Sequence, residues 1–288
     1  MRWNRPPAFA GSLFLLVVVV GSSPAAQAAP TEVRASSDVA VDLSATFVDR
    51  EEVGIDDLAG TVTPIVFPGV PDGANLTAYT VDAGEHLISF DTAVDLPGGV
   101  FAERGDVVRF DGANYSIEFD GNAEGVPSGA SVDAVALDAG LDLLLSFDVT
   151  AGVGGVTADD EDLVRFDGAA FAVVFDGSAA GVPAGLDLDG ADDLGGGHLG
   201  LSFDGSGSLG GVDFDDEDAL EYDPGGPTWT LAFDASSEHA GWEGGPDADA
   251  IYLPEPGGVL MLTCGGLAVA ALARRRRRLA ATAVALPD

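Results

Sequence analysis

Several absences narrow the reading of this chain. Its 288 residues contain no lysine, one cysteine, two methionines and three histidines. All twelve basic residues are arginine, and seven of them sit at the extreme ends: Arg2, Arg5, Arg274, Arg275, Arg276, Arg277 and Arg278. Between Ala29 and Pro256, five arginines stand against 47 aspartates and glutamates. Such a body cannot neutralise a phosphate backbone, which excludes nucleic acid as a partner. The acidity instead favours hydration, cations or saline surroundings. With a single cysteine, Cys264, in an apolar run near the C-terminus, no disulfide can form within the chain, so the fold must be held by packing.

Catalytic signatures are missing too. There is no Gly-x-Ser-x-Gly elbow, His-x-x-x-His, phosphate loop or dinucleotide fingerprint. His86 and His198 fall at equivalent points of an internal repeat, the pattern of a structural position. The third histidine, His239, stands apart. Carboxylates are plentiful, but no copy of the repeat differs from the others in a way that would build one active site. The expectation is a protein that is not an enzyme and needs no cofactor.

What the chain does have is glycine (40) and phenylalanine (15), a mixture suited to a turn-rich β fold. Repeats are visible by eye. His86–Asp91 (HLISFD), Leu143–Asp148 (LLLSFD) and Leu199–Asp204 (LGLSFD) are three versions of one segment. Asp106–Gly112 (DVVRFDG) returns as Asp162–Gly168 and Asp218–Pro224, and Tyr115–Gly121 (YSIEFDG) returns as Phe171–Gly177 and Trp229–Ala235. Val132–Leu137 (VDAVAL) returns as Ala248–Leu253 (ADAIYL). With a weaker first copy, the body at 29–253 holds four copies of about 56 residues, at about 36–85, 86–141, 142–197 and 198–253.

Each copy has four short alternating or apolar segments ending in Phe-Asp-Gly or a similar turn signal. There, aspartate caps free N–H groups and glycine accepts positive φ. In VVRFDG, Val108 and Phe110 should point one way, with Val107, Arg109 and Asp111 pointing the other. Arg109 and Arg165 are expected to pair with neighbouring carboxylates at the surface. Four strands per repeat is the arithmetic of a propeller blade, so the fold class is all-β and β-propeller-like. A β-sandwich of paired repeats is the alternative, and a solenoid the third.

Two acidic runs occupy matched places, Asp159-Asp160-Glu161-Asp162 and Asp215-Asp216-Glu217-Asp218. Extracellular calcium takes six to eight hard oxygens, often from such loops. Asp159, Asp160, Asp162, Asp215, Asp216 and Asp218 are therefore the candidate calcium ligands. The plainer reading is a solvated acidic loop, since the Asp-x-Asp-x-Asp-Gly rhythm is missing. Trp229 and Trp242 are candidates for stacking on sugars, Trp229 less so because it sits in a strand.

The two ends carry an address. Residues 1–28 have a basic start, an apolar run at 8–20 and Ala26-Gln27-Ala28, the pattern of a cleaved signal peptide. Near the other end, Pro254-Glu255-Pro256 precedes 15 uncharged residues, Val259 to Ala273, about 22 Å as a helix. With its flanks this segment just spans a hydrocarbon core of about 30 Å, and five arginines after it would stay in the cytoplasm.

Residues 254–278 resemble the PEP-CTERM sorting signal of Gram-negative bacteria: a Pro-Glu-Pro, a short apolar helix and an arginine cluster, in that order. The resemblance implies recognition by an exosortase, a membrane cysteine protease-transpeptidase. It also implies removal of the tail and delivery of the body to the envelope or exopolysaccharide matrix. One departure is LAATAVALPD at 279–288, beyond the arginines where such signals usually stop. The functional expectation is an exported surface protein with a structural, adhesive or exopolysaccharide-associated role. A glycan-acting hydrolase or a calcium-dependent binding module are the alternatives.

Overall fold

The computed structural model describes residues 30–43 and 46–254. They form a four-bladed β-propeller, with each blade an antiparallel four-stranded sheet. From channel to rim, blade 2 runs Leu76–Asp82, Glu85–Phe90, Val107–Phe110, Tyr115–Phe119. Blade 3 runs Val132–Leu137, Leu143–Phe147, Leu163–Phe166, Phe171–Phe175. Blade 4 runs Gly190–Gly195, His198–Ser202, Ala219–Asp223, Thr228–Phe233.

Blade 1 is assembled from both ends of the body. Its inner strand is Ala250–Tyr252, followed by Val33–Ser36, Glu52–Asp56 and Val62–Val66. Ala250, Ile251 and Tyr252 lie opposite Ser36, Ala35 and Arg34. The sequence copies are thus offset from the blades by one strand. The copy at 86–141 holds the outer three strands of blade 2 and the inner strand of blade 3. That offset staples each blade to the next and makes the last strand close the ring. A closed ring leaves no inner edge open to a foreign strand.

The core lies between blades. Phe90, Phe147 and Phe203 are at most 1% exposed. Each such ring withdrawn from water stabilises the fold by roughly 1.5–3 kcal/mol. Val108 and Phe110 pack towards blade 1, as the alternation requires, while Val107 is equally buried in the layer towards blade 3. A strand with a neighbouring blade on each side has two dry faces, so simple inside-out alternation fails for it.

Arg109 escapes at the blade's outer part. It donates to Asp82 at 2.7 Å, Glu85 at 2.7 Å and Glu118 at 3.0 Å. It is half-buried, and these partners hold its charge firmly in place.

The repeated Phe-Asp-Gly does two different jobs. In the first, Asp111 accepts from Ala113 N and Asn114 N, and Gly112 takes φ +92° in the hairpin turn. In the second, Asp120 caps the one-turn helix Gly121–Glu124 by accepting from Ala123 N. Gly121 and its counterpart Gly177 have no positive φ. A Cβ there would run into the carbonyl of Gly105 or Glu161. Blade 4 has Ala235 at this place, so the close approach belongs to blades 2 and 3. Each blade also carries a two-stranded ribbon between its second and third strands, such as Val94–Leu96 with Val100–Ala102, that the four-segment reading did not separate.

Among the described residues, no helix is long and apolar enough to cross a membrane. The signal peptide, Glu255, Pro256, the span at 259–273 and the arginine cluster lie outside the described residues.

Candidate functional site

The four inner strands begin at one mouth of the channel with a shared pattern. Asn75-Leu76-Thr77, Ser131-Val132-Asp133, Asp187-Leu188-Asp189 and Asp247-Ala248-Asp249 are equivalent. Alternation sends the middle residue into the blades, and Leu76, Val132, Leu188 and Ala248 are at most 1% exposed. The flanking residues share the opposite face and gather at the mouth. Their backbones are pinned alike: the N–H of Asn75, Ser131, Asp187 and Asp247 donates to Asp91, Asp148, Asp204 and Asp38 respectively, at 2.6–3.0 Å. Thr77 Oγ1 donates to Val132 O at 2.8 Å and links the inner strands of the adjacent blades 2 and 3.

The result is five carboxylates on three blades. One oxygen from each of Asp133, Asp187 and Asp189 lies within 4.8 Å of the others. Asn75 Nδ2 donates to Asp249 in a short contact. Burial, then mutual repulsion, pushes Asp187 up to about 7, Asp247 to about 8 and Asp249 to about 7. Asp133 and Asp189 are raised well above the usual carboxylate range by the same causes. Asp148, Asp160, Asp204, Asp216, Asp38 and Asp91 add negative charge from the surrounding loops, and Arg50 opposes it at Asp249.

Polar atoms at the mouth are left without partners. Asp189 Oδ2, Asp247 Oδ1 and Asn75 Oδ1 are buried and accept no hydrogen bond, and Asp189 and Asn75 are each only 7% exposed. Buried acceptors in that state cost about 1–3 kcal/mol each. A hard cation would satisfy such oxygens.

The sequence-derived calcium candidates are distributed differently. Asp162 Oδ2 accepts from Asp159 N at 3.1 Å and Oδ1 from Gly177 N at 3.0 Å. Asp218 does the same for Asp215 N and Ala235 N, and Asp106 for Glu103 N and Gly121 N. These three brace the loop before the third strand against the one-turn helix. Asp159 accepts from Thr150 Oγ1 at the surface. Asp215 and Asp218 border a shallow hollow of about 470 Å³ on blade 4. Asp160 and Asp216 act instead on the mouth, through Asp187 and Asp247. The structure therefore joins one residue of each acidic run to a cluster that the sequence reading passed over. The signal was present in the match of VDAVAL to ADAIYL, which places Asp133 opposite Asp249.

If Asp162 is a brace, Asp162→Ala strands two backbone donors. It should cost about 1–3 kcal/mol, read as a Tm lower by several degrees in thermal unfolding. An unchanged Tm would show the brace to be idle.

Trp242 corrects the expectation of an exposed sugar platform. It is 3% exposed, packed between blades 1 and 4. Trp229 is also buried, and its Nε1 donates to Ala180 O at 3.3 Å. Among the described residues, the exposed aromatics are Phe47 and Phe101, at 62% and 54%, on the ribbons of blades 1 and 2. His86 bonds Tyr79 Oη at 3.0 Å, and His198 bonds Glu221 at 2.7 Å, each as part of its blade.

No protein-family model matches this chain, and no curated protein matches it. Among solved structures, it is similar to a catalytically inactive virginiamycin B lyase from Staphylococcus aureus bound to quinupristin. Identity is 11%, coverage 70% of each chain, and the TM-score 0.31. It is also similar to the extracellular domain of a one-component system from B. thetaiotaomicron, at 8% identity and TM-score 0.31. That match covers 69% of this chain but only 28% of the other. No residue of this chain takes a role from either.

Proposed function

We propose that this chain is an exported, envelope-sorted surface protein with a structural or adhesive role, associated with exopolysaccharide and without catalysis of its own. The supporting observation is where the closed body starts and stops. Its first strand begins at Val33, five residues after the expected cleavage point at Ala28, and its last ends at Tyr252, two residues before Pro254. Both processing points therefore fall just outside the ring, so cutting at them leaves every blade intact.

The direction of exit adds to this. The closing strand starts at the acidic mouth and leaves at the other end, where Leu253 N donates to Asp192 at 2.9 Å. The second strands end beside the starts of the inner strands, as Phe90 does opposite Leu76. The ribbons therefore stand on the mouth side. A body tethered through Pro254 would turn its mouth, Phe47 and Phe101 away from the tether. The hydrolase alternative gains no support from the mouth. Glycosidase carboxyl groups stand about 5–9.5 Å apart around an open cleft, whereas Asp133, Asp187 and Asp189 crowd closer and Asp189 is closed off.

The test is mass spectrometry of the C-terminal peptide from washed surface material. The reading expects a chain ending near Pro254-Glu255-Pro256 without its arginines, and an intact tail retained at the inner membrane in the Glu255→Ala variant. Recovery of the wild-type chain through Asp288 in the inner membrane alone would overturn it.

A further inference from the structure

We propose that the acidic mouth of the channel is a divalent-cation site of the calcium class, with Asp133, Asp187 and Asp189 as ligands and Asn75 and Asp249 at its border. This inference rests on the ring alone and stands or falls independently of sorting.

The geometry points to it in three ways. First, the three carboxylate oxygens lie no more than 4.8 Å apart, the span across an ion that binds oxygen at about 2.4 Å on each side. Second, Asp189 Oδ2 is fully enclosed with no donor in reach, and Asn75 Oδ1, a neutral oxygen well suited to calcium, is in the same state. Protons shared among the carboxylates would satisfy some oxygens, but they leave the Asn75 carbonyl untouched. Third, Asp133 is the second residue of its inner strand, and Asp187 and Asp189 lie in the short segment leading into Gly190–Gly195. Both segments are pinned, Ser131 N donating to Asp148 and Asp187 N to Asp204, an anchoring that keeps a site preformed.

The donor set also selects the ion. It is all oxygen, with no thiolate and no imidazole among the mouth residues, which favours hard cations over zinc or copper. The carboxylates are crowded and irregularly placed. Calcium accepts such geometry at six to eight ligands, whereas magnesium demands a near-ideal octahedron. Asp133 and Asp189 lie on adjacent blades, so an ion held between them would tie the inner strands of blades 3 and 4 together. Asp249, immediately before the closing strand, would feel the same charge. Occupancy would therefore stabilise the closure of the ring itself.

The full chain, purified in detergent and stripped with EDTA, tests this at pH 7.5. Titration with calcium chloride, followed by calorimetry and thermal unfolding, is expected to give one ion per chain. At about a hundred times Kd, Tm should rise by about 5–10 °C. Magnesium should give a markedly smaller rise. Asp189→Asn should abolish the calcium response while unfolding no earlier than the metal-free parent, because it removes one of several repelling charges. Should that variant not fold, Asp133→Asn serves the same purpose. Asp159→Asn, in the exposed acidic run, should keep the full response. No heat and no shift with calcium, or an undiminished response in Asp189→Asn and Asp133→Asn, would overturn the proposal.

Discussion

Stripped of divalent cations, the protein should lose stability steadily as the pH rises from about 5 to 8, by about 10 °C in Tm. Most proteins gain or hold stability over that range. The reversal follows from the sign of the shifts at the mouth. Asp187, Asp247 and Asp249 are raised from the ordinary carboxylate value to about 7, 8 and 7. Between those values and the unfolded one, near 4, the folded state holds more protons than the unfolded state. Stability is then fully present at low pH and is lost as the pH climbs through the folded values.

One pKa unit corresponds to about 1.4 kcal/mol. Even if water entering the mouth halves the effect, one carboxylate moved by three units is worth about 2 kcal/mol, and each kcal/mol is about 2–4 °C for a domain of this size. Groups of opposite sign exist but act less. Burial lowers His86, which favours the folded state as the pH rises towards the ordinary histidine value. Backbone donors lower Asp57 and Asp111, whose window lies below pH 4. Calorimetric scans in EDTA at pH 5, 6.5 and 8 decide the matter. A flat or rising Tm would mean that the mouth carboxylates are solvated and ordinary.

The parts of this molecule that were legible in the sequence are those that repeat. Phe90, Phe147 and Phe203 recur because three equivalent strands end in equivalent interblade cores, and spacing alone found them. The count of four strands per copy gave the blade and then the propeller. What did not show was the phase. A repeat has no natural first strand, so a copy counted from His86 has the same period as a blade counted from Leu76, and only the pairing of Ala250–Tyr252 with Val33–Ser36 distinguishes them.

The site was hidden for a related reason. Asp133 is a single charge inside an apolar strand, and Asp189 and Asp249 belong to Asp-x-Asp steps just before theirs, all less conspicuous than the runs at Asp159 and Asp215. Yet charge matters most where water is excluded, and the mouth is made by converging four strands that lie far apart in the chain. The runs drew attention through local density, while Asp162 and Asp218 spend their oxygens on backbone N–H groups. Trp242 was misjudged because a lone tryptophan in a Gly-rich loop looks exposed. In fact Gly241, before it, lets the loop pass against the carbonyl of Asp42 and carry the ring inward.

The closing strand is where the largest single loss of stability should lie. A chain ended after Pro254 should unfold within about 2 °C of the full-length protein, whereas one ended after Asp249 should not fold cooperatively at all. The four residues between include Ala250, Ile251 and Leu253, each at most 2% exposed. Burying Ile251 and Leu253 is worth roughly 1.5–3 kcal/mol apiece. Their removal also strips Val33–Ser36 of its partner strand and breaks the contacts of Tyr252 with Tyr79 and Arg34. Asp192 loses the donor it holds at Leu253 N, and blades 4 and 2 lose the strand between them. Against a total stability of about 5–15 kcal/mol for an ordinary domain, a ring opened at its inner edge has little left. Circular dichroism melts of the two truncations give the answer directly. If the shorter chain melts like the longer, the ring does not depend on its last strand. If only the longer one folds, any cut that leaves the ring closed must fall beyond Asp249. On the function proposed above, Pro254 follows directly on the buried Leu253, so a cut there spares every strand of the propeller.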